Sequence, residues 1–272
     1  MNSSVVSVIL PAYNCEKYIG KSIQSVLQQT CTDFEVIIVN DGSTDKTEAS
    51  ILQYADQRII YLKNPENKGL IYTLNRAIEH AQGKYIARMD ADDICLPQRL
   101  AKQNEYLNTH PDTTMVASTI SFIDETGNDK GIWPLDRKMI SPDLIRNKMP
   151  FENCIAHPSI MIRSDILKKL KYNSRQVNIE DYDLWLRLLS RGYVIDKINE
   201  PLLLYRTHGD SVTHLYLKKK NFFFKHLRMK RIFLAKEILS GRINGFILRV
   251  IASTIVDFIK GTGKAIKKIV GN

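Results

Sequence analysis

Along the first hundred residues, short unbroken apolar runs alternate with segments whose apolar positions recur every three or four residues. The runs are "VVSVIL" (5–10), "FEVIIVN" (34–40), "RIIYL" (58–62) and "KYIARM" (84–89). Runs of this kind suit strands buried on both faces. Between them, "CEKYIGKSIQSVLQQT" (15–30) and stretches near 45–55 and 68–81 carry helical spacing. Strands separated by helices of this size predict βαβ units and a parallel sheet. The right-handed crossover of such units gathers the loops that follow the strands on one edge. Those loops are polar: "PAYN" (11–14), "NDGSTDKT" (40–47), "NPENKG" (64–69) and "DADD" (90–93). Ligands of open α/β sheets bind outside the carboxyl ends of the strands, so four loops are expected to face one site.

The pattern continues with "LPQRLAKQNEYLNTH" (96–110), read as a helix with Pro97 in its first turn. Residues 113–133 read as strands joined by a turn at Thr126-Gly127-Asn128. A helix over 141–148, a strand over 158–162, a helix near 164–171 and another in "EDYDLWLRLLSRG" (180–192) follow. No internal repeat and no Ser/Gly-rich linker separates these parts. Regions 1–110 and 111–210 are therefore expected to share one sheet and one cleft.

Composition changes this picture at the C-terminus. The 272 residues are 44% hydrophobic and 25% charged, which excludes wholesale disorder. The net charge of +10 is uneven: residues 218–272 hold 14 of the 39 lysines and arginines but only two of the 29 acids, Glu237 and Asp257. Residues 1–217 are left about neutral, with 25 basic and 27 acidic side chains. The tail reads as two helical stretches, 216–239 and 245–270. Its apolar part, 245–259, is broken by Arg249 and Asp257 and falls short of the ~20 apolar residues that span a bilayer. Leu and Ile among spaced Lys and Arg predict an amphipathic helix in peripheral contact with an anionic membrane surface. A helix packed on the body with a solvated basic face has the same pattern. Without an aromatic-interleaved basic groove, nucleic acid is not an expected partner. Four cysteines lacking C-x-x-C spacing, and an N-terminus lacking a basic n-region, suggest a reduced cytoplasmic setting and argue against a signal peptide.

Three carboxylates, Asp90, Asp92 and Asp93, crowd into four positions after the fourth run. Like charges this close repel, and a cation is their natural partner. Asp90 and Asp92 can both turn toward one ion if the chain leaves β geometry there. Hard oxygen donors suit Mg²⁺ or Mn²⁺, which complete their shells with water and phosphate oxygens. The plainer reading of D-x-D is an Asp-rich turn capping the helix after Pro97. In "DGSTDKT", Asp41 offers a carboxylate acceptor, Gly42 a close-approach position and Asp45 a helix N-cap. Glu180 and Asp181 open an amphipathic run, where acids also complement a helix N-terminus by about 0.3–1 kcal/mol.

In their order and spacing, "PAYN", "NDGSTDKT", "NKG" and "MDADD" resemble the family 2 glycosyltransferases, the inverting group with the GT-A nucleotide-sugar-binding fold. The match covers roughly the first 210 residues. The resemblance implies an α/β GT-A fold, Rossmann-like, with a mainly parallel central sheet flanked by helices. Residues 1–110 would form the nucleotide-binding half and 111–215 the acceptor-binding half, with a basic helical extension over 216–272. The implied donor is a nucleotide-diphospho-sugar, expected to be a UDP-sugar, with Mn²⁺ or Mg²⁺ as cofactor. The implied acceptor is a glycan or lipid-linked glycan met at the inner face of the cell membrane.

Residue by residue, the resemblance implies that Pro11, Ala12 and Tyr13 line the base pocket and that Asp41 hydrogen-bonds the base. Asp90 would contact ribose and metal and Asp92 the metal at the diphosphate, with Ala91 between them in the donor loop. Arg88 and Lys68 would help neutralise phosphate, a surface role suiting Lys68 equally. Asp181 would be the general base, with Asp183 its nearest rival. His208, in "YRTHGDSVT", stands at a Tyr-Arg-x-His-x-x-Ser signature and resembles a third metal or phosphate contact, although a lone His is more often structural. His157 would line the acceptor pocket, and Trp185 would be a sugar-stacking platform or a core residue.

Other functions fit less well. A nucleotidyltransferase would carry a Gly-rich basic loop after the first strand, where "PAYNCEKYIG" stands instead. A phosphatase with an Asp nucleophile would place its D-x-D after the first strand, not the fourth. A catalytically inactive membrane- or nucleic-acid-binding module draws support from the tail alone.

Overall fold

In the computed structural model, which describes residues 5–209 and 222–270, the first apolar runs form β1 (Val6–Ala12), β2 (Phe34–Asn40), β3 (Ile59–Lys63) and β4 (Tyr85–Arg88). They pair in parallel in the order β3-β2-β1-β4. Every residue of β1, β2 and β4 is buried, because helices cover both faces. Between the strands run α1 (Ile19–Leu27), α2 (Thr47–Leu52) and α3 (Leu70–His80). The two-residue period of the strand divides β1 between two cores. Val6, Val8 and Leu10 pack with Ile19, Ile23 and Val26 of α1, while Ile9 packs with Ile71, Leu74 and Ile78 of α3.

The same sheet continues through the second half of the chain. β5 (Ile94–Cys95), α4 (Arg99–Thr109), β6 (Thr113–Ile123) and β7 (Asp129–Ile132) lead to α5 (Pro134–Lys138) and α6 (Pro142–Lys148). β8 (Met161–Arg163), α7 (Ser164–Leu170), α8 (Glu180–Ser190) and β9 (Val194–Arg206) complete the body. The full order is β3-β2-β1-β4-β8-β6-β9-β5, with β7 on β6. β8 runs antiparallel between β4 and β6, β6 and β9 are parallel, and β5 is antiparallel to β9. The two halves thus share one mixed, mostly parallel sheet, as the α/β reading expects.

One expectation is corrected. The strand expected over 158–162 begins as a 3₁₀ turn, His157–Ser159, and the strand itself starts only at Met161. Pro158 supplies no N–H for a ladder, which moves the strand start past it. The sequence reading places no element over 194–206, where β9 spans thirteen residues. Its charges and Pro201 break the alternation. The register with β6 shifts between Ser118↔Ile198 and Thr119↔Pro201, and this irregularity admits the proline.

The tail forms α9 (Phe222–Leu239) and α10 (Gly245–Val270), packed on each other and on α8. Met229, Phe233, Phe246, Ile247 and Val250 enter the core that holds Trp185 and Leu188. Lys230 Nζ lies 2.6 Å from Asp257 Oδ2, and Glu237 accepts from Ser190 and Arg191 of the body. One face of the tail therefore packs on the body. Among the described residues, no helix is long and apolar enough to cross a membrane. The expected boundary between body and tail at 215/216 lies outside the described residues, as does Ser211 of the His208 signature.

Candidate active site

The loops at the carboxyl ends of β1, β2 and β3 are tied together by side chains. Asn14 N donates to Ser43 Oγ at 3.1 Å, and Thr44 N donates to Asn14 Oδ1 at 2.9 Å. Asp45 accepts from Thr47 N and from Glu16 N, so it ties the two loops from the residue before Lys46, which is the N-cap of α2 in place of the expected Asp45. Gly42 has φ +67°, and a Cβ there would stand 2.5 Å from the Glu66 carbonyl carbon. Only glycine lets this loop approach the next one so closely. Asp41 is buried, and its carboxylate accepts from Asn64 Nδ2 (2.6 Å), Lys68 N (2.9 Å) and Gly69 N (2.9 Å). Three of its roughly four lone-pair sites are thus filled by its own chain, leaving Oδ2 room for one further donor.

β4 delivers the aspartates. Arg88, its last residue, is buried and holds the half-buried Asp90 carboxylate with both terminal nitrogens. Arg99, also buried, donates to the carbonyl oxygen of Arg88 at 2.8 Å and to that of Ile160, fixing the strand end from behind. β5 then pairs Ile94 with Leu204 of β9, which brings the end of β9 back to the aspartates. His208 Nε2 consequently lies 2.9 Å from Asp92 Oδ2. Arg206 donates from Nε to the Asp92 carbonyl and from its backbone N to Asp93 Oδ1, both at 2.8 Å. Its guanidinium also covers the Tyr18 ring at 4.9 Å.

One carboxylate oxygen from each of Asp90, Asp92 and Asp93 lies within 4.8 Å of the others. Among the described residues, Asp93 Oδ2 is buried without a hydrogen-bond partner. Crowded carboxylate oxygens are hard donors, and this donor set fits a divalent cation such as Mg²⁺ or Mn²⁺.

The second acidic group stands at the N-terminus of α8. Asp181 Oδ2 accepts from Asn153 Nδ2 at 2.8 Å. Burial raises the Asp181 carboxyl above its usual range, against the pull of the Tyr182 N–H, Asn153 and Arg88. Glu180 is buried with Oε2 unpartnered, and burial followed by the Asp181 charge lifts it to about 7. His157 Nε2 is 2.7 Å from Tyr172 Oη, and its Nδ1 is 4.0 Å from Glu180 Oε1. Burial and Arg88 push His157 well below its ordinary value, so its imidazole is neutral at physiological pH. Asp181 raises Asp90 in turn, after burial, Arg88 and Asp92 have had their larger effects. The two acidic groups are therefore one electrostatic unit around Arg88.

The other expected residues differ in their exposure. Pro11 and Ala12 are buried in β1, and Tyr13 is 47% exposed at its end. Ala91 is buried between the two half-buried acids. Lys68 Nζ pairs with Glu66 on the surface, and the Lys68 backbone N–H is what reaches Asp41. Trp185 is fully buried with its ring edge toward His157, so the core reading holds and a stacking platform does not. Asp183 is turned away from the cleft into an ion pair with Arg187 Nε at 2.7 Å.

Asn64, Asn153, Arg99 and Arg206 are structural parts of the site that sequence reasoning passed over. Arg206 alone had a signal, beside His208 in the quoted signature. A buried Lys197 adds a support: its Nζ donates to Asp136 Oδ1 and to the Cys154 carbonyl, both at 2.7 Å, next to the residue that holds Asp181.

Comparison with known proteins agrees with this geometry. Residues 7–171 match the model of glycosyl transferase family 2. A protein of Methanocaldococcus jannaschii named as an uncharacterized glycosyltransferase is 41% identical over 210 residues, covering 76% of this chain and 72% of that protein. The O-antigen biosynthesis glycosyltransferase WbnJ of Escherichia coli is 36% identical over 211 residues, covering 76% and 81%. Among solved structures, TarS of S. aureus superposes with a TM-score of 0.71 at 19% identity, over 92% of this chain and 42% of that one. Its 1–349 fragment in complex with UDP-GlcNAc gives 0.68 at 19% identity, over 84% and 66%. At such identity the likeness is one of fold, the GT-A arrangement of a mostly parallel sheet flanked by helices. On its sequence match and its architecture, the chain belongs to glycosyl transferase family 2.

Proposed function

We propose that the chain transfers a sugar, with inversion, from a nucleoside-diphosphate donor to an acceptor hydroxyl during synthesis of a cell-surface polysaccharide or glycolipid. The observation that carries this reading is the cluster of aspartate oxygens within 4.8 Å of one another at the end of β4, with Asp181, held by Asn153, at the start of α8 as a second acidic group in electrostatic reach of Arg88. The donor is a UDP-sugar, the nucleotide class bound in the TarS complex, and polysaccharide assembly is the setting named for WbnJ. Residues 1–110 hold the donor, 111–215 the acceptor, and 216–272 bring the enzyme peripherally to the cytoplasmic face of an anionic membrane, where a lipid-linked acceptor resides.

In this reading Pro11, Ala12 and Tyr13 border the base, and the remaining acceptor site on Asp41 Oδ2 takes a donor N–H from it. Asp90, Asp92 and His208 would hold Mn²⁺ or Mg²⁺, which when bound supplies Lewis-acid neutralisation of the leaving diphosphate. Arg88 keeps the Asp90 carboxylate oriented and adds positive charge near the phosphates, a role in which exposed Lys68 takes no direct part. Asp181 accepts the proton of the acceptor hydroxyl as its oxygen attacks C1 of the sugar from the face opposite the diphosphate. Its burial suits that task, since raising a carboxylate's pKa raises its affinity for the proton it must take. A single displacement converts an α-linked donor into a β-linked product.

The test is nucleoside diphosphate release from a panel of UDP-, GDP- and dTDP-sugars with Mn²⁺, Mg²⁺ or EDTA, followed by NMR of the product's anomeric proton. Metal-dependent release from a UDP-sugar with inverted configuration is expected. Retained configuration, or metal-independent turnover, would sink the mechanism.

A further inference from the structure

The α9/α10 hairpin is apolar on two sides, and only one of them is covered by the body. Phe246, Ile247 and Val250 of α10 are buried against it. On the opposite side Leu248, Ile255 and Ile259 are 59, 57 and 63% exposed, and their spacing of seven and four residues sets them in one stripe. Phe258 flanks that stripe at 53%, and the turn between the helices adds Leu239 and Ile243, at 88 and 69%. A solvated helix face would carry polar residues here. A contiguous apolar stripe marks a contact surface.

The charge around the stripe has one sign. Both acids of the tail are drawn inward, Glu237 onto Ser190, Arg191 and Arg242, and Asp257 onto Lys230. Among the described residues of α9 and α10, the exposed charged side chains are Arg228, Arg231, Lys236, Arg249 and Lys260, all basic. We propose that this outer face docks on a lipid bilayer, the apolar stripe sinking to the acyl boundary and the basic side chains meeting anionic headgroups. A second copy of the chain fits poorly, because its basic rim would oppose this one with no exposed acid between them. The inference deepens the membrane contact in the proposed function by assigning its surface. It also gives that contact a route to the site, since Asn244 at the hairpin turn donates to the Ser190 carbonyl at the end of α8, whose other end carries Asp181.

The test is co-sedimentation of the full chain with vesicles of phosphatidylcholine alone or with phosphatidylglycerol, alongside its lipid-free mass by light scattering. Binding only to the anionic vesicles, falling with salt and weakened at least about tenfold in Ile255→Ser/Ile259→Ser, is expected. An Ile255→Trp variant should shift its emission to the blue on adding those vesicles, which separates docking from misfolding. No binding to anionic vesicles, binding unaffected by the double substitution, or a lipid-free dimer that the substitution dissociates would overturn the proposal. The double variant should release nucleoside diphosphate in lipid-free buffer at the wild-type rate, so failure of docking would leave the sugar-transfer reading standing.

Discussion

Two acidic triplets with nearly the same spacing meet in this cleft, Asp90-x-Asp92-Asp93 at the end of a strand and Glu180-Asp181-x-Asp183 at the start of a helix. In each, one member is turned inward and claimed by the chain. Asp93 accepts from the Arg206 backbone, and Asp183 pairs with Arg187 one helical turn on. Asp90 pairs with Arg88, and Glu180 and Asp181 lie within its electrostatic reach. The difference lies in what surrounds them. The strand-end triplet crowds three carboxylate oxygens together and calls for a cation, whereas burial raises the proton affinity of the helix acids, with the Asp181 charge adding to it at Glu180. A run of acids therefore does not reveal its working member, because the partner that removes one acid from service lies outside the run.

The comparison breaks most sharply at Asp181 and Asp183. Asp181→Asn should lower turnover by about 10²–10⁴-fold without any loss of unfolding free energy, since it removes a charge that burial disfavours. Asp183→Ala should do the reverse, costing on the order of 3 kcal/mol in a denaturant titration by stranding buried Arg187, with turnover per folded molecule nearly intact.

Glu180 sharpens the helix side through pH. Its folded value, about 7, lies above the ordinary 4.5, so the folded state holds this proton more tightly than the unfolded chain. Glu180 therefore costs nothing below pH 4, and its penalty grows as pH rises from there to about 7, beyond which it is constant. Glu180→Gln should accordingly gain stability over wild type at pH 8, by on the order of 2–3 kcal/mol, and little at pH 4 when both are unfolded by urea. On the strand side, Asp93→Ala should lose about 1–3 kcal/mol by orphaning the Arg206 N–H, while Asp93→Asn, which keeps an acceptor, should lose less than about 1. The smallest effect is expected at Asn153. Its amide stabilises ionised Asp181, so Asn153→Ala should move the acid limb of the pH–rate profile to higher pH, with an unshifted limb counting against the role.

The first hundred residues were readable because β1, β2 and β4 are buried apolar runs and each loop is a local cluster of Gly, Asn and Asp whose work is done within a few residues. Gly42, Asp45 and the D-x-D turn all belong to this class. The second half was less readable because its decisive contacts are long-range and antiparallel. β9 is hidden by Pro201, and nothing near Asp92 in sequence indicates that His208 returns to it through the β5–β9 pairing. Asn153 and Arg99 act by holding another residue's atoms, a function that leaves no local pattern. The tail's periodicity predicted a helix but could not say which of its two apolar faces the body would take, since that depends on α8.

The most direct test of the site is donor turnover with and without EDTA in Asp92→Ala, Asp181→Asn and Asp183→Asn, each corrected for folded fraction. The account predicts that wild type needs metal, that the first two variants lose turnover and that Asp183→Asn keeps it. Wild-type turnover by Asp181→Asn, or a folded Asp183→Asn enzyme that is inactive, would contradict it.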